Sequence, residues 1–377
     1  MLRRLSLGLL ASAISLAALP SIAQEKGSAD DLGVMSISLE DVVKPTIGFQ
    51  GALQGAGTPN QAGIGGFLPL SVGDNSVFFA DVQANVNFAD YDNYSSIIAT
   101  KVDGATISTS SRLGYRWLNG DRSWMYGLNA GYDSRPMNSG GTDTGIPTFG
   151  TEKSAFFQQV AVNAEAVSND WNINAYALIP IGDTEQDLNW FYQAGSLDTY
   201  GLDVGYFITP ELNASVGYYY QQGDLGSADG SGVLGRVAYD ISNGLTAGVN
   251  ISYDEAFETR VSADLKVRFG GAKTTSQRKE VQKLPVINAL TSTPTNRDVR
   301  VHDGLTQPIC YPVVDEIKTF GGFCDLFCSE ATCPGYAEES KNYYSKLCRS
   351  LPKSLAKNNN KCVRVGSKYI GKDEEIY

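Results

Sequence analysis

Apolar and polar residues alternate with a period of two along most of the segment from Thr46 to Phe269, the pattern of strands with one apolar and one polar face. Between Phe78 and Phe88 the even positions are Phe78, Ala80, Val82, Ala84, Val86 and Phe88, and the odd ones Phe79, Asp81, Gln83, Asn85 and Asn87. The same split sets Leu245, Ala247, Val249, Ile251 and Tyr253 against Thr246, Gly248, Asn250, Ser252 and Asp254. Val261, Ala263, Leu265, Val267 and Phe269 stand in the same way against Arg260, Ser262, Asp264, Lys266 and Arg268. Twelve runs follow, at 46–56, 62–72, 76–89, 105–118, 123–134, 155–168, 170–181, 197–208, 211–222, 231–241, 244–253 and 257–269. Most exceed the roughly five or six residues of soluble strands and match the roughly 9–11 that a tilted strand needs to cross a bilayer.

A soluble sandwich would also alternate, but two features favour a barrel. Trp117, Trp124, Tyr132, Trp171, Tyr218, Tyr220, Tyr239 and Tyr253 fall on the apolar face near strand ends, where an interfacial aromatic girdle sits. The connections also alternate in length. Those near 73–75, 119–122, 169, 209–210 and 242–243 are short, while 90–104, 135–154, 182–196 and 223–230 are long and rich in Gly, Asp and Ser. An outer-membrane barrel places short turns inside and long loops outside, and an even strand count returns both barrel termini to the periplasmic side. The expectation is an all-β membrane barrel of twelve antiparallel strands over 46–270. Its lumen-facing charges are Asp81, Arg112, Arg116, Glu165, Asp203, Arg236, Arg260, Asp264, Lys266 and Arg268. Such charges are costly in a dry core and ordinary in a wet pore, where they pair across the lumen or line a transport path.

Composition agrees with a β-protein: 40 Gly, 20 Tyr and 15 Phe in 377 residues. A net charge of −11 argues against a nucleic-acid partner. The single His, His302, lies beyond the barrel, which weakens a His general base or His metal ligand. No catalytic residue, cofactor or metal ligand is therefore expected, and the chain is not read as an enzyme. Charge is uneven: residues 25–269 carry 12 basic and 29 acidic side chains, whereas residues 270–377 carry 16 basic and 12 acidic. All six cysteines follow position 309, so a boundary is expected near residue 270.

The amino terminus reads as an export signal over 1–23. Arg3 and Arg4 precede an apolar run from Leu5 to Leu19, and Ser21 and Ala23 are the small residues of a cleavage site before Gln24. Fifteen apolar residues are short for the roughly 20 of a membrane-spanning helix. Residues 24–45 form a short lead into the barrel.

Residues 271–309 are polar, rich in Thr, Ser, Asn and Pro, and read as a linker. At about 3.3 Å per extended residue such a linker is long enough to thread back through the lumen. Ser276 to Leu284 is a candidate short helix plugging the pore; the plain alternative is a disordered periplasmic tether. Residues 310–377 hold Cys310, Cys324, Cys328, Cys333, Cys348 and Cys362, an even count in an exported chain, which reads as a disulfide framework. A zinc cluster is the competing reading, but no C-x2-C occurs and no His lies among the cysteines. Pro334 to Leu351 is spaced for a helix that begins at a proline. The carboxy-terminal unit is thus expected to be small, disulfide-rich and partly α-helical.

Arg112-Leu-Gly-Tyr-Arg-Trp117, a short polar turn, and Trp124-Met-Tyr-Gly-Leu-Asn-Ala-Gly-Tyr-Asp133 resemble a hairpin of the inverse autotransporter β-domain, the intimin/invasin translocator. Trp171-Asn-Ile-Asn-Ala-Tyr-Ala-Leu-Ile-Pro-Ile-Gly182, a long loop and Gly201-Leu-Asp-Val-Gly-Tyr206 continue the similarity, which spans about residues 46–270. The resemblance implies a twelve-stranded barrel that anchors and exports a carboxy-terminal passenger. The terminal Val267-Arg268-Phe269 resembles the signal read by the barrel-assembly machinery. The chain departs from the family in having neither a peptidoglycan-binding module before the barrel nor an array of immunoglobulin-like domains after it. The implied partners are outer-membrane lipid, the barrel-assembly machinery and an unknown surface partner, with a role in adhesion. A small porin-like channel with a periplasmic tail is the alternative.

Overall fold

The structure, a computed structural model, describes Met35 and residues 37–54, 57–88, 100–142, 153–189, 192–223, 229–242, 244–270, 284–305, 309–311 and 361–363. The export signal, the helix expected over Pro334 to Leu351 and four of the six cysteines lie outside the described residues, while Cys310 and Cys362 stand opposite each other where the short strands Ile309–Tyr311 and Lys361–Val363 pair.

The strands are β1 (Thr46–Leu53), β2 (Asn60–Val72), β3 (Ser76–Phe88), β4 (Thr100–Asp103), β5 (Ala105–Leu118), β6 (Trp124–Thr142), β7 (Ser154–Ser168), β8 (Trp171–Ile181) and β9 (Glu185–Asp187). They continue as β10 (Tyr192–Ser196), β11 (Asp198–Thr209), β12 (Leu212–Gln222), β13 (Gly230–Ser242), β14 (Leu245–Asp254), β15 (Glu258–Gly270), β16 (Val301–Leu305), β17 (Ile309–Tyr311) and β18 (Lys361–Val363). Two one-turn helices, α1 (Leu39–Val42) and α2 (Pro285–Asn288), flank the barrel in sequence.

Twelve strands, β1–β3, β5–β8 and β11–β15, form one closed antiparallel barrel. β6 pairs with β7 along its length, and β1 closes the sheet on β15 with Thr46 opposite Gly270. At one end lie short turns and both ends of the barrel chain; at the other lie the long loops and the short turn at 255–257. These are called the turn end and the loop end.

Alternation decides what each strand shows to either side. In β3, Asp81, Gln83, Asn85 and Asn87 are buried toward the lumen while Phe78, Val82, Val86 and Phe88 are exposed. In β14 and β15 the outward residues include Val249 (55 %), Ile251 (56 %) and Val261 (64 %). An apolar outside around a polar inside is stable only in lipid, where backbone polar groups are all satisfied by closing the sheet. Aromatic residues ring both ends of this belt. Near the turn end Tyr115 stacks on Trp117 at 5.7 Å and Trp171 meets Tyr206 at 5.0 Å. Toward the loop end Tyr218, Tyr253 and Phe156 are exposed.

The structure corrects three loops. β6 runs on past the expected 134 to Thr142, because Met137 and its neighbours pair with β7 up to Asn138 opposite Ser154. β4 adds to the protruding part of β6, within the stretch 90–104. Residues 182–196 hold the β9–β10 hairpin, to which β16 from the linker adds as a third strand. The candidate plug helix over Ser276 to Leu284 falls outside the described residues except for Leu284, which precedes α2.

Some lumen-facing rings sit over glycines. Tyr219 is paired across β12 and β13 with Gly232, and a Cβ at that glycine would lie 2.2 Å from Cζ of the ring. The same ring donates its hydroxyl to Asp254 Oδ2 at 2.5 Å. Gly232→Val should therefore displace the ring and destabilise the barrel by about 1–3 kcal/mol, the usual cost of overpacking. Gly235→Ala, whose Cβ would meet nothing nearer than Ile251 Cγ2 at 3.5 Å, serves as the tolerated control. Thermal midpoints from heat-modifiable gel migration measure both; equal midpoints would refute the ring's need for a glycine.

Candidate functional site

The lumen is occupied by the chain itself. After α2 and a 3-10 turn at Ala289–Thr291, the backbone continues to β16 at the loop end. At the turn end Val286, Ile287 and Leu290 pack with Leu39 and Val42 of α1 against Val77, Phe79, Leu118 and Met125. At the loop end Val299 and Val301 pack against Met137, Phe157, Leu188 and Tyr192. Residues 284–305 thus run the length of the barrel, with an apolar seal at each mouth and polar walls between.

Those walls grip the threaded segment. Arg116 Nη1 donates to the carbonyls of Leu290 at 3.3 Å and Ser292 at 2.7 Å, and Arg268 donates to that of Thr291. Arg112 Nη2 reaches the Asn296 carbonyl at 3.1 Å, and Arg135 Nη1 the Val299 carbonyl at 2.8 Å. Farther along, side chains take over. Arg297 pairs with Asp81 at 2.6 Å, and Asp298 accepts from the amides of Gln54 at 3.1 Å and Gln61 at 3.0 Å. The Arg300 guanidinium lies 4.3 Å over the Tyr219 ring. His302 sits against the Phe257 ring at 5.6 Å. Asp303 accepts from the Thr100 backbone N–H at 2.6 Å.

The ten charged positions read from the strands all face inward, but they do different things. Arg112 pairs with Asp133 at 2.7 Å, Arg116 with Glu165 at 2.9 Å, Arg236 with Asp264 at 2.5 Å and Arg260 with Asp254 at 2.9 Å. Asp81 and Arg268 contact the threaded segment, and Asp203 and Lys266 line the open part of the lumen. Asp133, Arg135 and Asp254 were absent from the sequence-derived set. Parity would have found them, since Tyr132 and Tyr253 point outward and their sequence neighbours must point in.

The segment's guanidinium partners lie largely on β5 and β6, and beside it a polar cavity of about 340 Å³ remains. Asn174, Asp203, Arg236, Asn250, Asp264 and Lys266 are among its walls. Its walls are polar and carry both signs of charge. Among the described residues no group of three or more His, Cys, Asp or Glu is placed to hold a metal ion.

No family model matches the chain, and no curated protein matches it significantly. Solved structures do. A membrane protein crystallised in meso is 11% identical over 68% of this chain and 99% of its own, with a TM-score of 0.48. An outer membrane channel from Pseudomonas putida F1 is 11% identical over 65% of this chain and 100% of its own, with a TM-score of 0.36. The outer membrane protein Omp33 of Acinetobacter baumannii is 14% identical over 61% of this chain and 99% of its own, with a TM-score of 0.34.

Proposed function

We propose that the chain is an outer-membrane anchor that carries its own carboxy-terminal cysteine-rich segment to the cell surface, as an inverse autotransporter does. One observation carries this reading: residues 284–305 enter at the turn end, run through the lumen and leave at the loop end, where β16 joins the β9–β10 hairpin. With short turns on the periplasmic side, the loop end is the outside. Export as an extended strand precedes oxidation of the six cysteines, because a disulfide-bonded unit would not pass a lumen this narrow.

The second reading is a porin-like channel, and the polar cavity beside the threaded segment is what favours it. An epitope tag placed after Lys372 separates the two. On intact cells the anchor reading expects antibody labelling of the tag and its removal by external protease. Protection of the tag until the outer membrane is permeabilised would leave the channel reading in its place.

A further inference from the structure

We propose that Arg297, Asp298 and Arg300 are a register lock, the part of the threaded segment whose side chains decide where in the lumen the chain comes to rest.

From Leu284 to Asn296 the segment carries no Asp, Glu, Lys or Arg. Its charged contacts in this stretch come from wall arginines that donate to carbonyls of Leu290, Thr291, Ser292 and Asn296. A carbonyl recurs at every residue, whatever the side chain, so a donor that takes a carbonyl does not read which residue carries it. These carbonyl contacts are blind to sequence, and in this stretch side-chain selectivity comes from the uncharged turn-end seal of Val286, Ile287 and Leu290. Apolar packing of that kind tolerates shifts that a buried ion pair does not.

From residue 297 onward the contacts change kind. Arg297 Nη2 donates to Asp81 Oδ1 at 2.6 Å, Nη1 to Ser110 Oγ at 3.2 Å, and Nε to the Pro294 carbonyl at 3.0 Å. Asp81 is 1% exposed, and its other oxygen has no hydrogen-bond partner among the described residues. Arg297 is therefore what keeps this carboxylate from being buried alone. Asp298 divides its two oxygens between Gln54 and Gln61, and Arg300 donates to Gln221 Oε1 at 3.2 Å. A slide of two residues would put Thr295 or Val299 opposite Asp81 and withdraw Asp298 from both amides. Removing one partner of a buried pair is costly, so a single register is favoured. The lock as a latch on the seated strand stands on this geometry; that it is also where transit stops rests on the anchor reading.

The test uses the full chain in outer membranes, with a photo-cross-linking residue in place of Thr293, which borders the cavity beside Gln50 and Lys266. Cross-linked peptides are mapped by mass spectrometry, and heat-modifiable migration reports folding. The chain with native Arg297 and Asp298 should give cross-links at one height on the wall. Arg297→Ala with Asp298→Ala should spread them along the barrel axis and lower the yield at the native height by roughly a hundredfold, as for a lost buried partner. If that variant fails to fold, Arg297→Gln is read instead, with the same spread expected. Exchanging the charges, Asp81→Arg with Arg297→Asp, should restore one height. Native-height cross-links alone in the folded variants would overturn the lock. The tag after Lys372 is scored on the same cells. Spread cross-links with a protected tag would keep the latch and overturn the anchor, whereas unchanged cross-links with a labelled tag would do the reverse.

Discussion

Asp133→Leu should be among the most damaging single substitutions in the barrel, because it leaves the Arg112 guanidinium buried with no carboxylate. Asp133 is fully buried and is the hub of its network. It takes Arg112 at 2.7 and 2.8 Å through both oxygens, Ser110 Oγ at 2.6 Å and Gln159 Nε2 at 2.8 Å. Loss of one partner of such a pair costs about 3–5 kcal/mol, while replacing both by apolar groups is often neutral. Arg112→Met with Asp133→Leu should therefore recover much of the loss, though not all, since Arg112 also holds the Asn296 carbonyl. Urea titration of the folded gel band measures both variants. A single variant as stable as the native chain, or a double variant worse than the single, would remove the ion pair from the account.

The barrel was largely legible because lipid on one side and a polar lumen on the other impose strict alternation. β5 and β12 fall within a residue of the expected 105–118 and 211–222, and the parity of β3 assigns every one of its side chains to the observed face. What the pattern missed was buried by polar surfaces. Residues 284–305 carry no long apolar run, because their walls are arginine, asparagine and glutamine rather than leucine. Only Val286, Ile287, Leu290, Val299 and Val301 mark the two seals, too sparse a set to show a period. The extension of β6 was hidden for another reason. Pro136 and the glycines near 140 read as loop residues, yet the Pro136 carbonyl accepts from Thr106 Oγ1 at 2.6 Å and the strand continues beside β7. Of the candidate site, the wall charges could be named from the sequence but their partners could not, since pairing depends on which strand lies opposite.

Deleting residues 284–300 should convert a closed lumen into a conducting one. About eight strands suffice for side chains to fill a barrel and sixteen or more leave an aqueous channel, so twelve make an interior that needs something further to fill it. Here the threaded segment is that filler, with an apolar seal at each mouth and a polar cavity of about 340 Å³ beside its middle. Removing it takes away the segment's share of the turn-end seal and Val299 of the loop-end one, and exposes Asp81, Arg135 and Arg268, whose partners on the segment are lost. The wall retains Arg112–Asp133, Arg116–Glu165, Arg236–Asp264 and Arg260–Asp254, so the sheet keeps its internal pairs and should still close. Planar-bilayer recordings should show rare, brief openings for the native chain and steady openings for the deletion. Ion selectivity should be weak, because cations and carboxylates alternate around the same wall. Equal steady conductance from both chains would mean that the segment does not occlude the lumen, and the seating of residues 284–305 as a plug would have to be abandoned.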